Sequence, residues 1–175
     1  MKRLTILLTA VLLTLAASGQ QTYNDDFTHT REIKASGKTI VKTGRLVYDG
    51  SERLEMTYSN PAGEYFTVEG SKVRMNLGGK KSEVNADKVK ALGLQRATLL
   101  NCLSGNWEQA AKDNKAASAV TEEKGRRTVT LTATGKVPRG GYSSVVLTYR
   151  ISDGKLLKMV LEESNGIRNT YEIVP

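Results

Sequence analysis

Apolar residues at every second position, broken by glycine-containing turns, constrain this chain more than any other feature. Leu54, Met56 and Tyr58 alternate with Glu55 and Thr57, and Val73, Met75 and Leu77 alternate with Arg74 and Asn76. Val129, Leu131 and Ala133 repeat the pattern, as do Val145, Leu147, Tyr149 and Ile151. A strand points successive side chains to opposite faces, so these runs predict half-buried strands with one apolar and one wet face. Asp49-Gly50, Glu69-Gly70, Asp153-Gly154 and Asn165-Gly166 fall between the runs, where glycine supplies the positive φ of a tight hairpin. Sequential hairpins require an antiparallel sheet, and the last third reads as a meander with strands at 143–151, 156–162 and 167–174. Residues 20–26 are polar and read as a loose lead-in, the alternation starting at Phe27.

The pattern breaks once, between residues 85 and 117. Val89, Leu92, Ala97, Leu100 and Leu103 recur at helical spacing, with Asn85 or Asp87 as caps. Gly93 weakens the middle of this helix, Ser104-Gly105 ends it, and a second helix is expected over 106–115. Two short helices with an apolar stripe must cover something, and the open sheet is the only candidate.

The N-terminus places the chain. Lys2 and Arg3 precede an apolar run over 4–16, and Ala17 and Gly19 supply an A-x-G signal, so residues 1–19 read as a secretory signal peptide cleaved near Gly19/Gln20. The run falls short of the about 20 residues a membrane span needs, and no second one follows. Residues 20–175 are then expected to be one soluble domain, periplasmic on a prokaryotic reading of the signal. With one cysteine, Cys102, no intramolecular disulfide is available, so packing and strand pairing must hold the fold. Loss of Lys2 and Arg3 lowers the formal net charge from +8 to +6. The closely spaced basic and aromatic residues of an RNA-binding surface are missing, so no nucleic-acid partner is expected, and anionic membrane surfaces suit this charge better.

Catalytic and metal constellations are poorly supplied. His29 is the only histidine, so any Ser-His-Asp or Cys-His arrangement would need it, and its place in the alternation of Phe27, His29 and Arg31 reads as structural. Cys102 lies beside Leu99, Leu100 and Leu103 and reads as a buried inert thiol. No H-E-x-x-H, C-x-x-C or calcium-loop spacing occurs, and the pairs Asp25-Asp26 and Glu162-Glu163 read as solvated. Gly78-Gly79-Lys80-Lys81 lacks the spacing of a phosphate loop and reads as a turn. No enzyme activity and no cofactor are expected. What remains is an apolar sheet face, rich in aliphatic side chains and methionines, under a helical cover. It is either an ordinary core or a curved surface that holds a flexible hydrophobic ligand.

Residues 44–61, with Gly44, Leu46, Asp49-Gly50 and Pro61, followed by a hairpin through Glu69-Gly70, resemble the hallmark region of the LolA-like periplasmic lipoprotein carriers. The C-terminal meander, with Asp153-Gly154, Leu157, Glu162, Asn165-Gly166, Thr170 and Tyr171, is similar to that family's last three strands. The resemblance implies an unclosed antiparallel β-barrel whose open side is plugged by helices over an apolar cavity. It also implies a monomeric carrier or chaperone that shields the acyl chains of lipoproteins between an inner-membrane release complex and an outer-membrane receptor. The family's Arg-Pro latch would fall at Gly50 and Ser51 here, which leaves Arg53 as the nearby candidate. The alternative keeps the fold and makes the chain an envelope sensor or regulatory module that binds lipoproteins or other amphiphiles without transporting them. The alternation selects Leu46, Leu54, Met56, Val68, Val73, Met75, Leu147 and Met159 as candidate cavity residues from the sheet. Leu92, Leu99, Leu100 and Leu103 are the candidates from the cover.

Overall fold

The computed structural model describes residues 21–137 and 141–174. The expected signal peptide and its cleavage point lie outside them. Among the described residues, eleven strands form one sheet. In chain order they are β1 (Tyr23–Ile33), β2 (Lys38–Tyr48), β3 (Arg53–Asn60), β4 (Tyr65–Glu69), β5 (Lys72–Leu77) and β6 (Lys80–Asn85), then β7 (Ala116–Glu123), β8 (Arg126–Ala133), β9 (Tyr142–Arg150), β10 (Leu156–Glu163) and β11 (Ile167–Val174). Between β6 and β7 come a 3-10 turn at Ala86–Lys88 and the helices α1 (Lys90–Ser104) and α2 (Trp107–Asp113).

Across the sheet the order is β6-β5-β4-β3-β2-β1-β11-β10-β9-β8-β7, and neighbouring strands run antiparallel. Hairpins make every pairing except the central one, where the first and last strands meet and His29 sits opposite Tyr171. β6 and β7 are the two edges, and the sheet is not closed. The chain leaves one edge at Asn85 and reaches the other at Ala116 through the helices, so the cover is a strap between the edges. The architecture is an unclosed antiparallel half-barrel with a helical cover, as the family resemblance implies.

Alternation decides the faces. Leu54, Met56 and Tyr58 of β3, Val129 and Leu131 of β8, and Val145, Leu147 and Tyr149 of β9 are buried together with Cys102, Leu103 and Ala110 of the helices. Within β2 the register against β3 shifts between Thr43 and Gly44. A Cβ on Gly44 would lie 2.2 Å from the Thr57 carbonyl oxygen and 3.0 Å from the Phe27 ring, so only glycine lets the strands approach this closely.

Four expectations are corrected. Residues 23–26 are not a loose lead-in: β1 starts at Tyr23, whose side chain is buried, and the polar Asn24 and Asp26 belong to the wet face of that strand. The acids at 25 and 162 are not simply solvated, because Asp25 lies 3.5 Å from Lys155 and Glu162 pairs with both Lys34 and Arg168. The helical insert stops before 116, and β6 and β7 are strands without apolar alternation because both lie at edges with most residues exposed. Gly93 is more than a weak point, since a Cβ there would come within 2.9 Å of the Ala86 carbonyl oxygen where the 3-10 turn folds against α1. Asn85 caps the 3-10 turn and not the helix itself, accepting from the Asp87 amide at 2.9 Å, and α1 starts after Val89 without a side-chain cap; its expected end holds, with Gly105 at φ 82°.

Candidate functional site

The two ends of α1 are held differently. At its C-terminal end the last carbonyls lack partners within the helix; the Asn106 and Gly105 amides reach the Asn101 and Cys102 carbonyls at 2.9 and 3.3 Å, and the sheet adds two further donors. Tyr149 of β9 donates to the Cys102 carbonyl at 2.8 Å, and Tyr23 of β1 donates to the Leu103 carbonyl at 3.1 Å. The N-terminal half is less buried. There Arg96 donates to the Gly70 carbonyl in the β4–β5 turn and reaches Asp87 at 3.4 Å. Arg53, the expected latch, is exposed on β3 opposite Glu69, and the turn before it is tied locally, Ser51 donating to Asp49 from its amide at 2.9 Å and from its hydroxyl at 2.6 Å. The arginine that joins cover to sheet is Arg96.

Under this less buried half lies a cavity of about 430 Å³. Met56, Tyr58, Phe66, Met75 and Leu77 line it from β3 to β5, Leu92, Gln95, Arg96 and Leu99 from α1, and Leu161 and Tyr171 from β10 and β11. Four predicted cavity residues, Met56, Met75, Leu92 and Leu99, are thus brought together. Leu46, Leu54, Val68, Val73, Leu103, Leu147 and Met159 are packed in the filled core instead, and Leu100 is half-buried against it. The division follows position along the strands, which alternation does not encode: the far end of the half-barrel is filled by the end of α1 and by α2, and this end is not.

The sequence reading missed the polar wall. His29 is buried, its ring stacked on Tyr171 at 4.3 Å between centroids. Its Nε2 lies 3.1 Å from Asn169 Oδ1 and its Nδ1 3.2 Å from the Tyr58 hydroxyl. Asn169 donates from Nδ2 to Glu163 at 2.9 Å, which leaves Oδ1 as acceptor and assigns the His29 proton to Nε2, with Tyr58 donating to Nδ1. A directed chain of hydrogen bonds therefore runs Tyr58 to His29 to Asn169 to Glu163, across β3, β1, β11 and β10. Burial lowers the His29 pKa, outweighing the Asn169 contact that favours the charged form, and Lys42 and Arg31 lower it further. Lys42 pairs with Glu64 and sits 5.3 Å above the Tyr58 ring; that ion pair holds the Glu64 carboxyl below its ordinary pKa. Tyr58 already stood in the apolar alternation of β3, and Asn169, Tyr171 and Ile173 alternate in β11, so period 2 was the signal that could have found this wall.

This arrangement can hold a ligand with an apolar body and can offer it polar contacts along one side. Acid–base and thiol chemistry are poorly served: His29 is committed at both nitrogens, and burial pushes the Cys102 thiol up to about 12, far from the thiolate a nucleophile requires. Among the described residues no three of His, Cys, Asp and Glu are grouped to hold a metal ion, and no helix is long and apolar enough to cross a membrane.

No family model matches the chain, and no curated protein matches it. Among solved structures it is similar to a LolA superfamily protein from Nitrosomonas europaea, with 10% identity, 89% of this chain and 85% of that chain covered, and a TM-score of 0.38. It is similar to a chain of the Pseudomonas aeruginosa MucA/MucB complex, with 12% identity, coverage of 89% and 51%, and a TM-score of 0.48. Similarity to the Mycobacterium tuberculosis lipoprotein LppX is lower, at 12% identity, coverage of 86% and 85%, and a TM-score of 0.31.

Proposed function

We propose that this chain is a periplasmic acyl-chain binder, a carrier or chaperone that shields the acyl chains of lipoproteins in its cavity and moves them toward the outer membrane. The observation that carries the reading is the gap between the N-terminal half of α1 and the sheet, lined by flexible methionines and by aliphatic and aromatic side chains. Each methylene withdrawn from water is worth about 0.8 kcal/mol, so acylated cargo needs such a shield to cross an aqueous space. Methionine linings adapt to chains that have no fixed shape.

The volume suits one chain at a time. An apolar cavity of about 150 Å³ holds benzene, about 25 Å³ per carbon, so the 430 Å³ here corresponds to about 17 carbons. That capacity favours a second reading as well, a sensor or regulatory module of the same fold that engages one acyl chain and passes nothing on. Native mass spectrometry of the exported chain, with and without a triacylated lipopeptide, tests both. A one-to-one adduct displaced by competing acyl lipid supports acyl binding, and delivery of that adduct's lipopeptide to acceptor vesicles separates carrier from sensor. A clean apo mass under both conditions overturns the proposal.

A further inference from the structure

The polar lining of the cavity is unbalanced in charge. Arg31, Lys42 and Arg96 line it, against the single carboxylate of Glu163. Lys42 is neutralised by Glu64 and Arg96 reaches Asp87, whereas Arg31 makes no ion pair among the described residues. Its charge is nonetheless felt inside: it adds to the burial and the Lys42 charge that lower the His29 pKa, and it opposes the burial that raises that of Tyr171. Arg96 adds a second irregularity: its Nε is buried without a hydrogen-bond partner among the described residues. A buried donor left unpaired is costly, and in a cavity wall the group that relieves it is an acceptor brought by the occupant.

The strand register orders these groups by depth. Arg31 is opposite Ile40 on one side and Asn169 on the other. His29, two residues deeper along β1, is opposite Lys42 and Tyr171. Phe27, two residues deeper again, is opposite Gly44 and Ile173. Arg31 is half-exposed, while His29 and Phe27 are buried. Arg31 therefore stands on the outer layer, the Glu64-paired Lys42 is level with His29 and Tyr171 behind it, and Phe27 lies deeper still.

We propose that the ligand is a single-chain anionic amphiphile, its acyl chain in the cavity and its carboxylate or phosphate headgroup held at the outer layer by Arg31, with the free Arg96 Nε as a further donor. The inference rests on the acyl-binding part of the reading above and narrows it to a ligand class. Arginine suits the task because its planar fork matches both oxyanions, and its charge does not depend on pH in the physiological range.

Three probes with the same chain length test it by displacement of a fluorescent fatty acid from the exported protein: palmitate, 1-palmitoyl lysophosphatidate and hexadecanol. Both anions, or one of them, are expected to bind about tenfold or more tighter than the neutral alcohol; binding by palmitate alone assigns a carboxylate and by lysophosphatidate alone a phosphate. Arg31→Gln is expected to reduce the anions to the level of hexadecanol, and Arg31→Lys, which keeps the charge, to retain part of the preference. Hexadecanol bound as tightly as the anions overturns the headgroup assignment and leaves acyl binding standing. Failure of all three probes sinks acyl binding itself. The comparison of probes on the unaltered chain stands even if Arg31→Gln does not fold.

Discussion

The Tyr23 hydroxyl bridges two distant parts of the chain, donating to the Leu103 carbonyl at 3.1 Å and accepting from the Leu156 amide at 2.8 Å. One oxygen thus joins the first strand, the end of the cover and the start of β10. Burial pushes its pKa up to about 12, so it keeps the proton that it donates.

Tyr23→Phe keeps the ring and removes the bridge, leaving a buried amide and a buried carbonyl unpaired. A loss of about 1–3 kcal/mol is expected in urea unfolding. Tyr149→Phe, which leaves the Cys102 carbonyl with only the Gly105 amide at 3.3 Å, is expected to cost less, about 1 kcal/mol, and a double-mutant cycle should show coupling because both tyrosines hold the same helix end.

Core and cavity positions on α1 should respond in opposite ways. Leu103 is fully buried, so Leu103→Ala should cost about 2–5 kcal/mol in stability. Leu99 lines the cavity, so Leu99→Glu should abolish acyl binding in the displacement assay while the far-UV circular dichroism of the sheet is retained. An unfolded Leu99→Glu would show that this position is core.

Stability should fall on mild acidification. The folded pKa of His29 is lowered by burial, so the unfolded chain binds the proton first. The contribution of His29 is then complete above its unfolded pKa of about 6.5 and is lost progressively as pH drops from there toward the folded pKa. His29 is the only histidine, so His29→Gln should flatten the slope of unfolding free energy against pH between 6.5 and the onset of carboxylate titration. An unchanged slope would contradict the assignment.

Arg96 fastens the less buried half of the cover to the β4–β5 turn. Arg96→Ala should therefore speed amide hydrogen exchange over the first turns of α1 and leave the end held by Tyr23 and Tyr149 protected. Equal acceleration along the whole helix would mean that the cover moves as one piece.

The sheet was legible because period 2 and Gly-containing turns are local signals, and the β3, β5, β8 and C-terminal meander strands follow them. β6 and β7 were not legible, because edge strands with solvent on both faces carry no apolar alternation. The site was half legible. Alternation puts Met56 and Leu54 on the same face, yet one lines the cavity and the other is packed, a distinction set by where the far end of α1 rests. The chain through Tyr58, His29, Asn169 and Glu163 spans four strands, and its members lie up to 140 positions apart, a distance that no motif spacing expresses.

The seam between β1 and β11 governs when the fold can exist at all. Its partners include His29 and Tyr171, so the middle of the sheet must wait until β11 has been synthesised. Pairing across such sequence separations is slow, because closing the long loop costs entropy before any contact returns it. Until then the chain holds two separate half-sheets, each with an open flank. A polypeptide built this way keeps its central seam open until β11 emerges, so its two halves close on each other in a single late step.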